Sequence, residues 1–310
     1  MATMKAVRIH RFGEADVVQV EDVEQPVAGE GEILVRVRAA SVNPVDYKIR
    51  RGQYPPVKEE MLPITQGRDF AGTVEALGDG VDGFRPGMAV YGMLPPERGA
   101  FAEFVAAKAA GTAPAPQGQD YAQAAAVPLA ALTAWQGLFE HGGLEAGQRV
   151  LIHGGAGGVG HFAVQFARSV GATVLTTVSG QDADFVRELG ADRAIDYKSE
   201  RFEEIARDID LVYDLIAGET QQRSWSVLKD GGRLISTLSE PSQEEAARRH
   251  VRALRYTARP DGAQLAEIAR LIEQRKVRPV VDMTFPMTEA ARAQEHLEQQ
   301  HVRGKIVQTC

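Results

Sequence analysis

The amino-acid sequence predicts an α/β protein, with a β-rich N-terminal half followed by a parallel sheet that helices cover on both faces. Three observations carry this. Apolar and polar residues alternate up to about residue 105, strand and helix signals take turns from about residue 122, and an apolar run ends in a glycine-rich turn at residues 154–160.

In the first half, Lys5-Ala6-Val7-Arg8-Ile9 and Ile33-Leu34-Val35-Arg36-Val37-Arg38 have the period of half-buried strands. Gly78-Asp79-Gly80 and Arg85-Pro86-Gly87 read as turns that separate the strands at residues 72–77 and 88–92. The pattern predicts a small irregular β-barrel or sandwich. Residues 111–120, with Pro114, Pro116 and Gly118, read as a linker and place a domain boundary there.

The second half has another rhythm. A helix near residues 132–141 leads to a strand at 150–153, a helix at 158–170, a strand at 173–178 and a helix at 182–189. Strands follow at 194–196, 210–216, 233–236 and 251–257, with a helix near 221–228. Alternation of this kind requires crossover connections, hence parallel strands with helices on both faces. A helix at 262–274 and a strand–helix–strand tail at 276–310 need not join that sheet.

The glycine turn carries the chemistry. Gly155, Gly157 and Gly160 have G-x-G-x-x-G spacing: a tight turn, a close approach of backbone N–H groups to a pyrophosphate, and close helix–strand packing. The expected donors are the backbone groups of Gly155, Ala156, Gly157, Gly158 and Val159. A P-loop would place Lys and Ser or Thr after the last glycine, whereas His161 and Phe162 stand here.

Composition narrows the classes. The chain has 310 residues, 25% of them charged, and a formal net charge of -7, which disfavours nucleic-acid binding because phosphate recognition needs clustered cations. Arg248-Arg249-His250 reads as a solvated turn. The single cysteine, Cys310, excludes an intrachain disulfide and a multi-cysteine zinc site. Residues 1–7 lack an apolar signal core and no stretch approaches the ~18 apolar residues of a membrane helix, so a cytoplasmic location is expected.

Taken together, Ala39-Ala40-Ser41-Val42-Asn43-Pro44-Val45-Asp46, Gly67-Arg68-Asp69-Phe70-Ala71-Gly72, Leu132-Thr133-Ala134-Trp135, the glycine turn and Gly304-Lys305-Ile306-Val307 resemble the medium-chain dehydrogenase/reductase superfamily, in its zinc-free quinone oxidoreductase branch. The resemblance spans essentially the whole chain. It implies a GroES-like catalytic domain (1–121), a Rossmann domain (122–260) and a C-terminal segment (261–310) that returns to the first.

Zinc members of that superfamily use a Cys, a His in a Gly-His-Glu run, and a further Cys or acid. Asn43, Arg68 and Leu129 stand at those places, and amide, guanidinium and aliphatic side chains do not build a zinc site. Without a Lewis acid, the accessible chemistry is hydride delivery to an acceptor that is already electron-poor. An NAD enzyme places an acid about 20 residues past the glycine turn to hold the ribose 2′-OH. Thr176-Thr177-Val178-Ser179-Gly180 offers none, so NADPH is expected, with Ser179 and, by resemblance, Tyr197 donating to its 2′-phosphate.

The resemblance implies further roles, at the floor of a cleft if the two domains form one. Asn43 hydrogen-bonds near the nicotinamide, Lys48 meets the ribose or the acceptor oxygen, Thr133 and Lys305 contact the cofactor, and Tyr91 lines the acceptor pocket with Tyr54, Met61 and Met93. Asp46 orders its loop, His153 is a satisfied strand residue, and Arg68 pairs with Asp69. The expected activity is NADPH-dependent reduction of a quinone. Reduction of an alkenal or enone double bond, and a non-catalytic NADPH-binding sensor or structural role, stay open as alternatives. Relatives usually dimerise through the last Rossmann strand, and residues 251–256 offer such an edge.

Overall fold

The computed structural model describes residues 2–310, which fall into two compact units. One comprises the chain up to Leu132 with Arg259–Arg275 and Pro279–Cys310; the other comprises Thr133–Ala258 with Lys276–Arg278.

The first unit opens with β1 (Thr3–Ile9), β2 (Val18–Glu24) and β3 (Glu32–Val42), then helix α1 (Pro44–Arg50). β1 buries Met4 and Ala6 on one face and Val7 and Ile9 on the other, so both of its faces pack against core where the alternation predicts one. β4 (Ile64–Thr65), β5 (Asp69–Leu77), β6 (Ala89–Met93), β7 (Phe104–Lys108) and β8 (Thr112–Pro114) follow, then α2 (Tyr121–Ala125) and α3 (Pro128–Trp135). The expected linker therefore holds a strand. β8 pairs antiparallel with β6, Val90 opposite Pro114, and buries Thr112 and Ala113. Its three residues are too few to show a period, and Pro114 marks its terminus, where a missing N–H does little harm.

The second unit contains β9 (Arg149–His153), α4 (Gly160–Ser169), β10 (Thr173–Val178), α5 (Ala183–Glu188), β11 (Arg193–Asp196), α6 (Phe202–Ile205), β12 (Ile209–Asp214), α7 (Gly218–Ser224), β13 (Leu228–Ser236), α8 (Gln243–Arg248) and β14 (Arg252–Arg255). The strands form one parallel sheet in the order β11-β10-β9-β12-β13-β14. β12 is buried at every position, which is why its sequence is a continuous apolar run bounded by acids rather than an alternation. Its core joins Leu151, Leu175, Ile195, Val212 and Leu234 to Phe202 and Trp225.

The tail returns to the first unit as α9 (Gly262–Glu273), β15 (Val281–Pro286), α10 (Ala290–Gln299) and β16 (Lys305–Thr309). β16 lies antiparallel to β3, Ile306 opposite Val42, and completes a seven-stranded sheet with the path β15-β16-β3-β5-β6-β8 and β7 beside β3. That register sets Lys305 next to the end of β3, where the first unit's polar cluster lies.

Candidate functional site

The glycine turn lies where the strand order reverses. β9 sits at the centre, with β10 and β11 on one side and β12 to β14 on the other, so the carboxyl ends of β9 and β12 flank the crevice in which open α/β sheets bind ligands. Gly154 has φ 80°, and its N–H donates to the carbonyl of Thr177 at 3.0 Å. A Cβ on Gly155 would strike the Thr176 hydroxyl, and one on Gly160 would run into the carbonyl of Gly154. Gly157 is different: a Cβ there would meet only the Gly154 carbonyl oxygen, at 3.6 Å. The N–H groups of Ala156, Gly158 and Val159 have no protein acceptor among the described residues, and no side chain caps α4. Unpaired donors at a helix N-terminus, around a glycine the protein's own packing does not require, form a cradle that fits a pyrophosphate.

His153 braces this turn from below. It is fully buried, with Nδ1 3.0 Å from the Thr177 hydroxyl and Nε2 2.9 Å from the Ser224 hydroxyl. Ser224 donates its proton to the Thr220 carbonyl, so Nε2 carries the imidazole proton. Burial lowers the His153 pKa to about 4 and keeps the ring neutral.

Just past the end of β10, Ser179 is 8% exposed and its hydroxyl has no partner among the described residues. A carboxylate does come near, from the neighbouring strand. Asp196, at the end of β11, accepts from the N–H of Lys198 at 3.1 Å, the Ser199 hydroxyl at 2.9 Å and the N–H of Gly180, and these bonds hold its pKa below the usual value. Tyr197 beside it is 60% exposed, with the Lys198 ammonium 5.9 Å above its ring.

In the first unit, Asn43 begins α1, followed by Pro44 at a position suited to proline. Its backbone N–H donates to Asp46 Oδ2 at 2.7 Å and its Nδ2 to Asp69 Oδ2 at 2.8 Å. Ser41 donates to the same Asp69 oxygen at 2.5 Å, while the N–H of Leu129 donates to Asp69 Oδ1 at 2.7 Å. Lys305 is buried and donates to Asn43 Oδ1 and, at 3.0 Å, to the Val42 carbonyl. Burial lowers its pKa, against the pull of Asp69 and Asp46. Asp46 is buried with Oδ1 unpaired, and burial raises its pKa to about 7.

The other expected residues fall out as follows. Lys48 is half-buried on α1 and its ammonium has no partner among the described residues. Tyr91 has no exposed surface and its hydroxyl donates to the Leu265 carbonyl at 2.6 Å, which gives it a packing role within the first unit. Thr133 lies on α3, and its carbonyl accepts from the hydroxyls of Tyr213, at 2.9 Å, and Tyr256. Met93 is buried, and Tyr54 packs beside Ile9, Ile49 and Val57. The expected pair of Arg68 with Asp69 does not form: Arg68, in the bend before β5, donates from Nε to the Leu94 carbonyl at 2.5 Å, while Asp69 turns to Ser41 and Asn43.

Comparison with known proteins agrees with this architecture. The alcohol dehydrogenase GroES-like domain family matches residues 29–117 and the zinc-binding dehydrogenase family matches residues 189–307. An NADPH-dependent alkenal/one oxidoreductase of Arabidopsis thaliana, a chloroplastic protein, is 34% identical over 98% of this chain and 79% of its own length. The chain belongs to the medium-chain dehydrogenase/reductase superfamily. A solved quinone oxidoreductase of Coxiella burnetii superposes over the full length of both chains with a TM-score of 0.93 and 34% identity. A mycobacterial protein solved in complex with NADPH covers 99% of this chain and all of its own, with a TM-score of 0.88 and 29% identity. The protein is therefore a medium-chain oxidoreductase with a GroES-like unit and a Rossmann unit.

Of the three positions that the resemblance compares with zinc ligands, two join one hydrogen-bonded cluster and Arg68 stands outside it. Asn43 and Leu129 both bind Asp69, and among the described residues no three His, Cys, Asp or Glu side chains stand close enough to hold a metal ion. Sequence reasoning missed Asp69 and Asp214 as hubs. Asp214 ends β12 with no exposed surface and accepts from Ile216 N, Ala217 N, Gln221 Nε2 and Ser236 Oγ. A carboxylate inside an otherwise apolar run was the available signal, because a buried charge needs several donors.

Proposed function

We propose that this oxidoreductase uses NADPH to reduce a quinone without zinc. The carrying observation is the turn at residues 154–160, where three backbone donors without protein acceptors surround a glycine that internal packing leaves free. The amides of Ala156, Gly158 and Val159 would hold the pyrophosphate, and the hydroxyls of Ser179 and Tyr197 the 2′-phosphate. Gly155 and Gly157 would keep the turn narrow enough for close approach, and Thr133 would meet the nicotinamide nucleoside. The bound cofactor supplies a hydride. NADPH is favoured because Ser179 is free and the nearby Asp196 has its oxygens engaged by Gly180, Lys198 and Ser199. The names of the Arabidopsis relative and the mycobacterial complex support the same cofactor.

The residues of the first unit divide by burial. Asn43 and Lys305 lock the start of α1 through buried hydrogen bonds, so their part is to fix the helix that carries Lys48. Lys48, whose ammonium is unpaired, would stabilise charge developing on the acceptor oxygen and deliver or relay the proton that accompanies the hydride. Tyr91, with its hydroxyl spent on Leu265, contributes shape.

The acceptor is the open choice between a quinone, supported by the Coxiella protein, and an enone, supported by the Arabidopsis protein. A panel of both, followed by loss of nicotinamide absorbance with NADPH or NADH, decides it. The proposal expects a higher kcat/KM for quinones and for NADPH. A preference for enones moves the function to double-bond reduction, and tight NADPH binding without turnover of either class leaves a sensor or structural role. Among the described residues no helix is long and apolar enough to cross a membrane, and a single cysteine suits a reducing compartment such as the cytoplasm.

A further inference from the structure

The turn at residues 154–160 contains two peptide planes that join glycine to glycine, Gly154–Gly155 and Gly157–Gly158. With no Cβ on either side, such a plane turns over at little steric cost, so its direction has to be fixed from outside. The first plane is held at both ends. The N–H of Gly155 donates to the Thr177 carbonyl at 3.3 Å, and the carbonyl of Gly154 accepts from the N–H of Gly157 at 3.2 Å. The second plane is held at one end only, because the N–H of Gly158 has no protein acceptor among the described residues.

His161 grips that one end twice. Its backbone N–H donates to the Gly157 carbonyl at 3.0 Å, as the first turn of α4 requires, and its ring Nδ1 lies 3.1 Å from the same oxygen. A carbonyl oxygen only accepts, so Nδ1 carries a proton. The ring has no exposed surface and packs on Phe162, with 4.0 Å between the centroids. A peptide unit is planar and trans, so its C=O and N–H point in opposite directions. Two donors that hold the Gly157 oxygen therefore aim the N–H of Gly158 out past the N-terminus of α4, into the cradle. By polarising the same amide they also strengthen it as a donor.

Folding alone asks for one of these donors, not two. The backbone N–H already satisfies the Gly157 carbonyl, and an apolar side chain would fill the buried place beside Phe162 without carrying polar atoms into it. We infer that His161 is a positioning residue of the nucleotide site: its Nδ1–H locks the Gly157–Gly158 peptide so that the N–H of Gly158 meets the pyrophosphate. This rests on the nucleotide-binding reading above, and it adds one side chain to a cradle otherwise made of backbone.

The test uses the full chain and three probes: NADPH and NADH, which share the pyrophosphate, and adenosine 2′-monophosphate, which lacks it. His161→Leu keeps a buried apolar side chain and removes the donor. It weakens NADPH and NADH by the same factor, about tenfold, and leaves the monophosphate unchanged. His161→Asn sets an amide near the place of Nδ1 and binds NADPH within about threefold of wild type, although its smaller side chain lowers the melting temperature. Affinity and stability thus part, the leucine costing the first and the asparagine the second, which a merely structural histidine would not show. Wild-type affinity in His161→Leu, different factors for NADPH and NADH, equal weakening of all three probes, or an asparagine variant as weak as the leucine variant overturns the positioning role. Failure of the wild type to bind either dinucleotide overturns the nucleotide reading itself, and is seen before any variant is made.

Discussion

A Cβ on Gly157 would stand 3.6 Å from the carbonyl oxygen of Gly154, an ordinary van der Waals contact, whereas one on Gly160 would collide with that same oxygen. Two glycines of one motif therefore answer to different demands. Gly157→Ala should fold with a melting temperature within roughly 2 °C of wild type and bind NADPH at least about tenfold more weakly, because the new methyl narrows the space beside the free amides. Gly160→Ala should lose more than about 5 °C, since backbone must move. Equal losses of stability in the two variants would show that Gly157 also serves packing.

The glycine turn was legible because its determinants are local: a strand, a tight turn and a helix within twenty residues, each with its own steric mark. The rhythm of the second half was legible for the same reason. β8 was hidden by its length, and the Asp69 cluster by sequence distance, since Ser41, Asn43 and Leu129 lie 28, 26 and 60 residues away. Ala217 carries no sign in the sequence of its left-handed φ, because alanine takes that conformation only when partners such as Asp214 compel it.

On the proposed reading, cofactor choice turns on Ser179. Asp196 approaches Gly180 so closely that a Cβ there would lie 2.7 Å from Oδ2, yet its oxygens are already engaged by Gly180, Lys198 and Ser199. Ser179→Asp would add a carboxylate with no such donors, to repel a 2′-phosphate and accept from a ribose hydroxyl. The ratio of kcat/KM for NADPH over NADH should fall by about a hundredfold. An unchanged ratio would place the 2′-phosphate away from the end of β10.

Lys48 is the half-buried cation of α1 without a partner among the described residues. Lys48→Ala should lower kcat roughly ten- to a hundredfold with the NADPH Kd within about twofold of wild type, and Lys48→Arg should restore part of the loss because it keeps the charge. Unchanged turnover in Lys48→Ala removes the residue from the mechanism.

β14 ends the second unit's sheet, with β13 on one side and, among the described residues, no strand on the other. Open edges of this kind invite pairing, and two copies that join β14 antiparallel would extend both sheets through a two-fold axis. Light scattering at micromolar concentration should give twice the chain mass. The mass of a single chain would remove this interface.

Asp46 makes a prediction about pH. Its folded pKa of about 7 lies above the ordinary 3.8, mainly through burial, so between those values the folded chain holds a proton that the unfolded chain has released. Stability from this group is complete below about pH 4 and falls as pH rises through 7. His153 acts in the opposite sense: its folded pKa of about 4 lies below the ordinary 6.5, so its contribution grows with pH between those values. In the wild type the two slopes largely cancel from pH 4 to 6.5. Asp46→Asn resembles the protonated acid, keeps an oxygen for the Asn43 N–H and does not titrate. Its melting temperature should match wild type near pH 4 and exceed it by roughly 5 °C or more at pH 7 to 8, since three pH units of linkage amount to a few kcal/mol. A constant difference at every pH would mean that Asp46 is ionised in the fold, with Lys305 and Arg68 outweighing its burial.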